Sequence, residues 1–175
     1  IPIFNIGDSM KEVIQFFEST TYSHVAILED NRFLGVLDEN DLEIYKNDQK
    51  IEDYRHNLET FFVMHDTSWL DVLETFARNE ANILPVLNAD HAVLGYYDLT
   101  DVVGVFIETP FFTEPGGIIV LAKGIKDYSF SEISQIVESN GARMIGGFIS
   151  EIRNEIIQIT IKIGAADFNE VLQTF

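Results

Sequence analysis

Two short acidic motifs contain the residues of this sequence that are best suited to bind a ligand. The first motif is Gly35–Asp41, and the second is Gly95–Asp101, 60 residues further along the chain. Each reads glycine, two apolar residues and Asp-x-x-Asp, a pattern typical of a helix N-cap with an acid at position N3. Unpaired N–H groups at a helix start attract anions. Taken alone, either copy is explained about equally well by an ordinary helix cap and by a ligand site. The repetition favours a two-fold binding module.

The elements predicted around the first motif form one repeat, which occupies residues 1–59. Ser9 opens a helix through a Ser-x-x-Glu capping box, and an apolar face follows it: Val13, Ile14 and Phe17. Strands are predicted over residues 25–28 and 33–37. The motif then starts a helix that carries Leu42, Ile44 and Tyr45. Residues 46–59 are charged, contain no glycine or proline, and are predicted to form a helical connector.

Residues 60–109 repeat this order of elements. Ser68 heads a second capping box, Ser-x-x-Asp, and the apolar face behind it matches that of the first helix at an offset of 59 residues. Strands are predicted over residues 83–87 and 93–97. One extra residue in the turn at 88–91 changes the offset from 59 to 60. Turns are where insertions are tolerated, so the alignment of the repeats is physically sensible.

A different pattern begins after residues 110–116, which are predicted to be a linker because the surrounding run ETPFFTEPGG contains two prolines and a glycine pair. Residues 117–175 are predicted to form a strand, a helix, two strands and a last helix. Ser129 caps the first of these helices, and isoleucine alternates with polar residues along the strand 156–163. The last helix is predicted to start near Asp167. The fold class is therefore α+β.

The composition excludes several classes of function. Eleven basic residues against 29 acidic ones give a net charge of −18. Such a charge repels nucleic acid and anionic membranes, so neither is predicted as a partner. The absence of cysteine excludes disulfides and thiol catalysis, and it fits a cytoplasmic location. No apolar run is long enough to span a membrane.

The remaining polar residues show no pattern typical of catalysis or of metal binding. The four histidines lack the spacing of known metal motifs, so hydrogen-bonded or solvated side chains are expected and no metal ligand is predicted. The run Asp38–Asp41 lacks the loop length, the glycine and the closing glutamate of an EF-hand. No Ser/His/Asp set is identifiable. The chain is therefore predicted to be no enzyme and to need no cofactor.

The repeat that ends in glycine, two apolar residues and Asp-x-x-Asp resembles the CBS domain, and two copies in tandem resemble a Bateman module. The sequence ILPVL at 83–87 is similar to the "LPVV" strand of that family. Residues 117–175 resemble an ACT domain, which has a ferredoxin-like fold, without its final strand. The whole order is similar to that of AcuB-type acetoin-utilisation proteins.

This resemblance implies a regulatory protein that senses an adenosyl ligand, such as AMP, ATP or S-adenosylmethionine, between its repeats. The family's ribose-binding aspartate corresponds to Asp41 and Asp101. The family's phosphate-binding Ser/Thr corresponds to Asp38 and Asp98. The other predicted ligand-binding residues are Thr100, His24, Leu84 and Pro85. The ACT-like part implies a homodimer.

Aspartate at the phosphate position departs from the family pattern. A carboxylate satisfies the helix start itself and repels phosphate. Two like charges about 4 Å apart repel by roughly 4 kcal/mol at an effective dielectric constant of about 20. The departure favours a neutral or cationic ligand, a nucleotide bridged by a metal such as Mg²⁺, or an empty pocket over free AMP. An empty pocket leads to the alternative function, a structural or dimerisation module.

The ACT-like part departs from its family as well. Ser129 and Phe130 stand where the family usually has Pro-Gly before the helix, with the glycine allowing an amino acid to approach closely. Both replacements argue against amino-acid binding at this loop.

Overall fold

The computed structural model describes residues 1–164 and 168–175, and the chain divides into two compact units, Ile1–Gly104 and Val105–Phe175. Helices and sheets are both present, so the predicted α+β class is confirmed. Within the described residues, no helix combines the length and the apolar character needed to cross a membrane.

The first unit contains two three-stranded sheets with the same topology, β1-β2-β3 and β4-β5-β6. The strands are β1 (Phe4–Asn5), β2 (His24–Glu29), β3 (Arg32–Asp38), β4 (Val63–Met64), β5 (Ile83–Leu87) and β6 (Val93–Asp98). In each sheet a two-residue strand runs parallel to the central strand, and the third strand is antiparallel to it. Both hairpins carry a register shift at equivalent positions, Ile27/Leu28 and Val86/Leu87. The two predicted repeats therefore share one sheet architecture.

A capped helix follows the first strand of each sheet. In α1 (Met10–Ser19), the side chain of Ser9 accepts a hydrogen bond from the N–H of Lys11. In α2 (Trp69–Arg78), the side chain of Ser68 accepts one from the N–H of Asp71. The apolar residues predicted for the first helix, Val13, Ile14 and Phe17, are buried together with Met10. Of the three predicted for the second helix, Val72 and Phe76 are buried and Leu73 is half-buried. Both serines are confirmed as N-caps.

The α-helix predicted after the first motif is wrong. A 3₁₀ helix, Glu39–Asp41, follows β3 and leads into turns, and Ile44 is exposed instead of lying on an apolar face. The predicted helical connector contains a second 3₁₀ helix, Ile51–Asn57, with a kink at Tyr54. The second motif does start an α-helix, α3 (Leu99–Ile107).

Two tyrosine hydroxyls explain why the first motif does not continue as an α-helix. The hydroxyl of Tyr45 donates to the carbonyl of Asp38. The hydroxyl of Tyr54 accepts from the N–H of Lys46 and donates to the carbonyl of Ile44. Three backbone groups that a helix would pair internally are thus satisfied by side chains instead, which stabilises the turn conformation.

The second unit is built on a third antiparallel sheet with the order β7-β9-β8. Its elements are α4 (Pro110–Thr113), β7 (Gly116–Gly124), α5 (Phe130–Ser139), β8 (Met144–Arg153), β9 (Ile156–Gly164) and α6 (Phe168–Thr174). The predicted alternation along β9 is confirmed, because its isoleucines at 157, 159, 161 and 163 are buried in one core with Val137 of α5. The predicted start of the last helix, Asp167, lies outside the described residues.

Residues 110–116, predicted to be a linker, contain regular secondary structure. They include α4, which begins with Pro110 at a position where proline favours helix formation, and the first residue of β7. The amine of Lys162, itself buried, donates to the carbonyls of Phe111 (2.5 Å) and Phe112 (3.3 Å). The predicted division of the chain into 1–59, 60–109 and 117–175 stays a prediction.

Candidate functional site

The first motif ends beside a histidine on the neighbouring strand. His24 begins β2, Asp38 ends β3, and the two are direct cross-strand partners. The His24 side chain is 2% exposed, and its Nε2 lies 3.8 Å from Oδ2 of Asp38. Its Nδ1 lies 2.8 Å from Oγ of Ser23, and its ring meets Phe61 edge-on. Two of the predicted ligand-binding residues are therefore adjacent, and the imidazole is held in a defined orientation.

Asp38 satisfies the start of the 3₁₀ helix, which was the structural role predicted for it. Its carboxylate accepts hydrogen bonds from the backbone N–H of Asn40 (2.9 Å) and from the side-chain amide of Asn40 (3.3 Å). An anion approaching this helix start would meet a carboxylate that already accepts the hydrogen bond of the Asn40 N–H.

Asp41 is held by the chain as well. Its Oδ2 accepts a hydrogen bond from Nδ2 of Asn57 at 2.8 Å. The other amide atom of Asn57, Oδ1, is buried and has no hydrogen-bond partner within the described part of the chain. One carboxylate oxygen of Asp41 is therefore engaged before any ligand binds.

Glu59 is a member of this site that the sequence analysis missed. Its backbone N–H donates to the carbonyl of Val36 at 3.0 Å, and its carbonyl accepts the N–H of Val36 at 2.9 Å. Residue 59 therefore forms an isolated bridge with β3. Ligand atoms of His24, Asp38 and Glu59 all lie within 4.8 Å of one another. Gly35, the glycine of the first motif, is the sequence feature that could have indicated a close backbone neighbour at this point. A Cβ on Gly35 would lie 2.7 Å from the Glu59 carbonyl oxygen, so the glycine permits this approach.

The acidic side chains perturb the ionisable groups around them. Glu59 is exposed, yet partial desolvation raises its pKa, and the charges of Asp38 and Asp41 raise it further. Burial lowers the pKa of His24, an effect that Asp38 opposes. Burial, followed by Asp41 and Asp38, raises the pKa of the Tyr45 hydroxyl. The site therefore places an imidazole of lowered pKa beside clustered acidic side chains.

The second motif has the same cap and different neighbours. Oδ1 of Asp98 accepts a hydrogen bond from the N–H of Thr100 at 2.7 Å. Asp101, in the first turn of α3, is exposed, as is Thr100. The cross-strand partner of Asp98 is Ile83, so an isoleucine occupies the position that His24 has in the first repeat.

The two other predicted ligand-binding residues lie inside the second sheet. Leu84 and Pro85 are both in β5 and buried, with Tyr97 and Tyr96 as their partners on β6. Their role as ligand contacts stays a prediction.

Equivalent residues join the two repeats. The N–H of Ser23 donates to Oδ1 of Asn82 at 2.8 Å, and the N–H of Asn82 donates to Oγ of Ser23 at 3.0 Å. The carbonyls of the same two residues accept the N–H groups of Glu39 (2.8 Å) and Leu99 (3.0 Å), each of which follows the first aspartate of its motif. This near-symmetric network ties both motif starts to the line along which the repeats meet.

The loop of the second unit that was compared with the ACT amino-acid site runs from Gly124 to Ser129. A cleft of about 130 Å³ lies there, lined by residues 124–127 and by Glu155. Asp127 fills the space beside Gly124, since a Cβ at Gly124 would lie 2.7 Å from Oδ2 of Asp127. The expectation from Ser129 and Phe130 that no amino acid binds at this loop stays a prediction.

Comparison with known proteins gives one family match over part of the chain and several structures of similar fold. Residues 1–45 match the CBS domain family. A CBS domain pair/ACT domain protein from Thermotoga maritima has 19% identity and a TM-score of 0.54, covering 62% of this chain and 89% of that one. The CBS domains of a transcriptional regulator from Streptococcus pneumoniae have 15% identity and a TM-score of 0.50, covering 58% and 86%. A search of curated protein sequences gives no match.

The cytosolic domain of the Mg²⁺ channel MgtE, solved in complex with ATP, has 22% identity and a TM-score of 0.50. The match covers 59% of this chain and 44% of that one. These findings define the fold as that of a CBS domain pair, which confirms the prediction at this level. The likeness of residues 117–175 to an ACT domain, and of the whole chain to AcuB-type proteins, stays a prediction.

Proposed function

We propose that the chain is a non-enzymatic regulatory protein whose CBS pair senses a small ligand of adenosyl type. The observation that carries this proposal is the network between Ser23 and Asn82, which ties both acidic motifs to the junction of the repeats. The ATP complex of the MgtE cytosolic domain, which shares the fold, supports an adenosine nucleotide as the first ligand to test.

The ligand would act by favouring one of two arrangements of the protein, since a ligand shifts an equilibrium only by its difference in affinity for the two states. A cytoplasmic location, suggested by the absence of cysteine, belongs to the same proposal.

Asp101 is the stronger candidate for the ribose-binding residue. Its carboxylate is exposed, whereas Asp41 already accepts a hydrogen bond from Asn57. Ribose hydroxyls donate well to a free carboxylate. Asp101→Ala is therefore expected to remove adenosine binding, and Asp41→Ala is expected to weaken it less.

The direct test is a thermal-shift screen of the parent protein with AMP, ATP and S-adenosylmethionine, each with and without Mg²⁺, followed by calorimetry on the ligand that stabilises it. Asp90→Ala serves as a control, because it removes an exposed aspartate in a turn of the same repeat. An affinity that Asp101→Ala leaves unchanged would place the ligand elsewhere.

The two cap aspartates provide a second test. Replacing Asp38 and Asp98 together by threonine removes the charge and keeps a capping oxygen, so the folded state should lose at most about 1 kcal/mol. AMP affinity is expected to rise by orders of magnitude, and any Mg²⁺ requirement is expected to weaken. The matched control is the double asparagine variant, which removes the charge and retains a different capping group.

The alternative, a structural module with empty pockets, is favoured by one observation: both helix starts are already occupied by Asp38 and Asp98. If no adenosine ligand stabilises the parent, and neither double variant binds AMP, electrostatic exclusion is the wrong account. The structural function would then be the better one.

Assembly as a homodimer is the remaining part of the proposal. The face of β7 opposite the core exposes Ile118 and Val120, which are 63% and 59% exposed, and Phe148 of β8 is 52% exposed. Large apolar side chains exposed together are typical of interaction surfaces. A second copy of the same sheet would cover them.

A further inference from the structure

We propose that His24, Asp38 and Glu59 bind a divalent transition-metal cation, with Zn²⁺ or Mn²⁺ as the chemical class. The set contains one imidazole nitrogen and two carboxylates. Carboxylates alone suit Mg²⁺ or Ca²⁺, whereas an imidazole ligand adds preference for zinc and its neighbours in the first transition row.

The buried nitrogen of His24 is the observation that distinguishes this site from an ordinary acidic cluster. His24 is 2% exposed, and its Nε2 has no hydrogen-bond partner in the described residues. The nearest carboxylate oxygen, Oδ2 of Asp38, is 3.8 Å away, beyond hydrogen-bond distance. Nε2 therefore lies near the Asp38 carboxylate with its bonding capacity unused, and a metal ion held by the three side chains would satisfy it.

The other ring nitrogen is placed as metal-binding histidines require. Nδ1 lies 2.8 Å from Oγ of Ser23, and that oxygen is itself fixed by the N–H of Asn82. With the proton on Nδ1 donated to Ser23, the lone pair of Nε2 points at the site. Such an outer contact orients the ring and sets the tautomer in most histidine metal sites.

The spacing of the ligand atoms fits closure around one ion. Donors at about 2.1 Å from a metal lie roughly 3.4 Å apart in tetrahedral geometry. The three donors here lie within 4.8 Å of one another, so about 1 Å of side-chain movement is needed. Glu59 is exposed and can supply it.

The backbone that carries these ligands is held in place. His24 and Asp38 are cross-strand partners, and residue 59 is bonded to Val36 of the same sheet. Asp41 adds a further negative charge close to Glu59. A cation would relieve the repulsion among these carboxylates, and sites on strands hold their ligands more precisely than sites on loops.

The second repeat supplies an internal control. Asp98 has the same place at the end of its hairpin as Asp38, and its cross-strand partner is Ile83 instead of a histidine. The second motif should therefore bind no transition metal. One ion per chain is expected.

This inference does not depend on nucleotide binding, although it shares Asp38 with the proposed ligand pocket. The metal is tested alone, with ZnCl₂ and MnCl₂ titrated calorimetrically into the full chain after treatment with a chelator and removal of the chelator. Failure of the adenosine screen would leave the metal result unaffected, and failure of metal binding would leave the adenosine screen unaffected.

Zn²⁺ is expected to bind with a stoichiometry of one per chain. His24→Gln and Glu59→Gln should each weaken it by tenfold or more, and the matched control Asp98→Asn should leave the affinity within about twofold. Co²⁺ bound in place of Zn²⁺ should give visible absorption bands that the His24 variant alters. Because Glu59 is exposed, its variant should fold even if the His24 variant does not.

Three results would overturn the proposal. The first is the absence of any Zn²⁺ or Mn²⁺ binding by the parent. The second is Zn²⁺ binding that Glu59→Gln leaves unchanged, which would indicate other groups among the 29 acidic residues and four histidines. The third is an equal affinity for Mg²⁺ that does not respond to His24→Gln, which would describe an acidic cluster only.

Discussion

Replacing Tyr96 by phenylalanine removes one oxygen atom that connects the two repeats. The Tyr96 hydroxyl accepts the N–H of Ala26 at 2.8 Å and donates to the carbonyl of Pro2 at 2.8 Å. Ala26 is fully buried, and β1 pairs only with the next two residues of β2, Ile27 and Leu28. The phenol thus takes the place of a strand partner for Ala26.

The expected loss of stability follows from the group that is left unpaired. A buried N–H without an acceptor costs roughly 1–3 kcal/mol. For a unit of 104 residues, each kcal/mol corresponds to a decrease in melting temperature of roughly 4–8 °C. Tyr96→Phe should therefore melt about 5–20 °C below the parent in the transition of the first unit.

The same hydroxyl should make the protein sensitive to alkaline pH. Burial raises the pKa of Tyr96 to about 12, against an ordinary value of about 10. Because the folded state holds the proton more tightly than the unfolded state, this stabilisation is complete below pH 10 and is lost as the pH rises towards 12. The variant has no proton to lose there, so its stability should fall less steeply across that range.

Urea unfolding monitored by circular dichroism at pH 8, 10 and 11 measures both effects. Tyr97→Phe is the matched control: it is the adjacent residue of β6, its ring packs against Trp69, and its hydroxyl has no hydrogen bond within the described residues. Equal stability of the Tyr96 variant and the parent at pH 8 would refute the assigned role of the hydroxyl. Parallel alkaline losses would refute the titration argument.

Three further outcomes are expected. Gly35→Ala should destabilise the first unit by roughly 1–3 kcal/mol, because its Cβ would collide with the Glu59 carbonyl. The control Gly104→Ala meets no atom within 4 Å and should be neutral or stabilising. Urea unfolding measures the stability of both variants. Asn82→Ala should speed amide exchange of Ser23, an effect that Asn79→Ala, which loses only a bond within α2, should not reproduce. Light scattering at tens of micromolar should show a dimer that Val120→Lys dissociates, and a monomeric parent would count against the exposed sheet face as an interface.

Local patterns were sufficient to predict most of the fold. The caps at Ser9, Ser68 and Ser129 and the alternation along β9 depend on residues a few positions apart, and all of them are found in the structure. The repeat itself was visible because both copies keep the same spacing. Short-range rules of this kind can be applied before any tertiary contact is known.

The errors arise where residues distant in the sequence determine the local structure. The helix after Asp38 is replaced by turns because the hydroxyl of Tyr54, several residues later, binds the backbone at 44 and 46. Glu59 joins the candidate site through pairing with Val36, 23 positions earlier in the chain. His24 and Asp38 become neighbours only once the hairpin register is known. None of these contacts leaves a periodic pattern in the sequence.

The junction between Ser23 and Asn82 also determines which repeats can associate. The two positions are equivalent, yet the residues differ, and the asparagine side chain supplies both the acceptor for Ser23 and a donor to the carbonyl of Thr21. Two first repeats brought together would place serine against serine and lose both of these bonds. Two second repeats would place asparagine against asparagine and lose the serine hydroxyl. The asparagine thus disfavours association of two first repeats from separate molecules, which would have neither of its bonds.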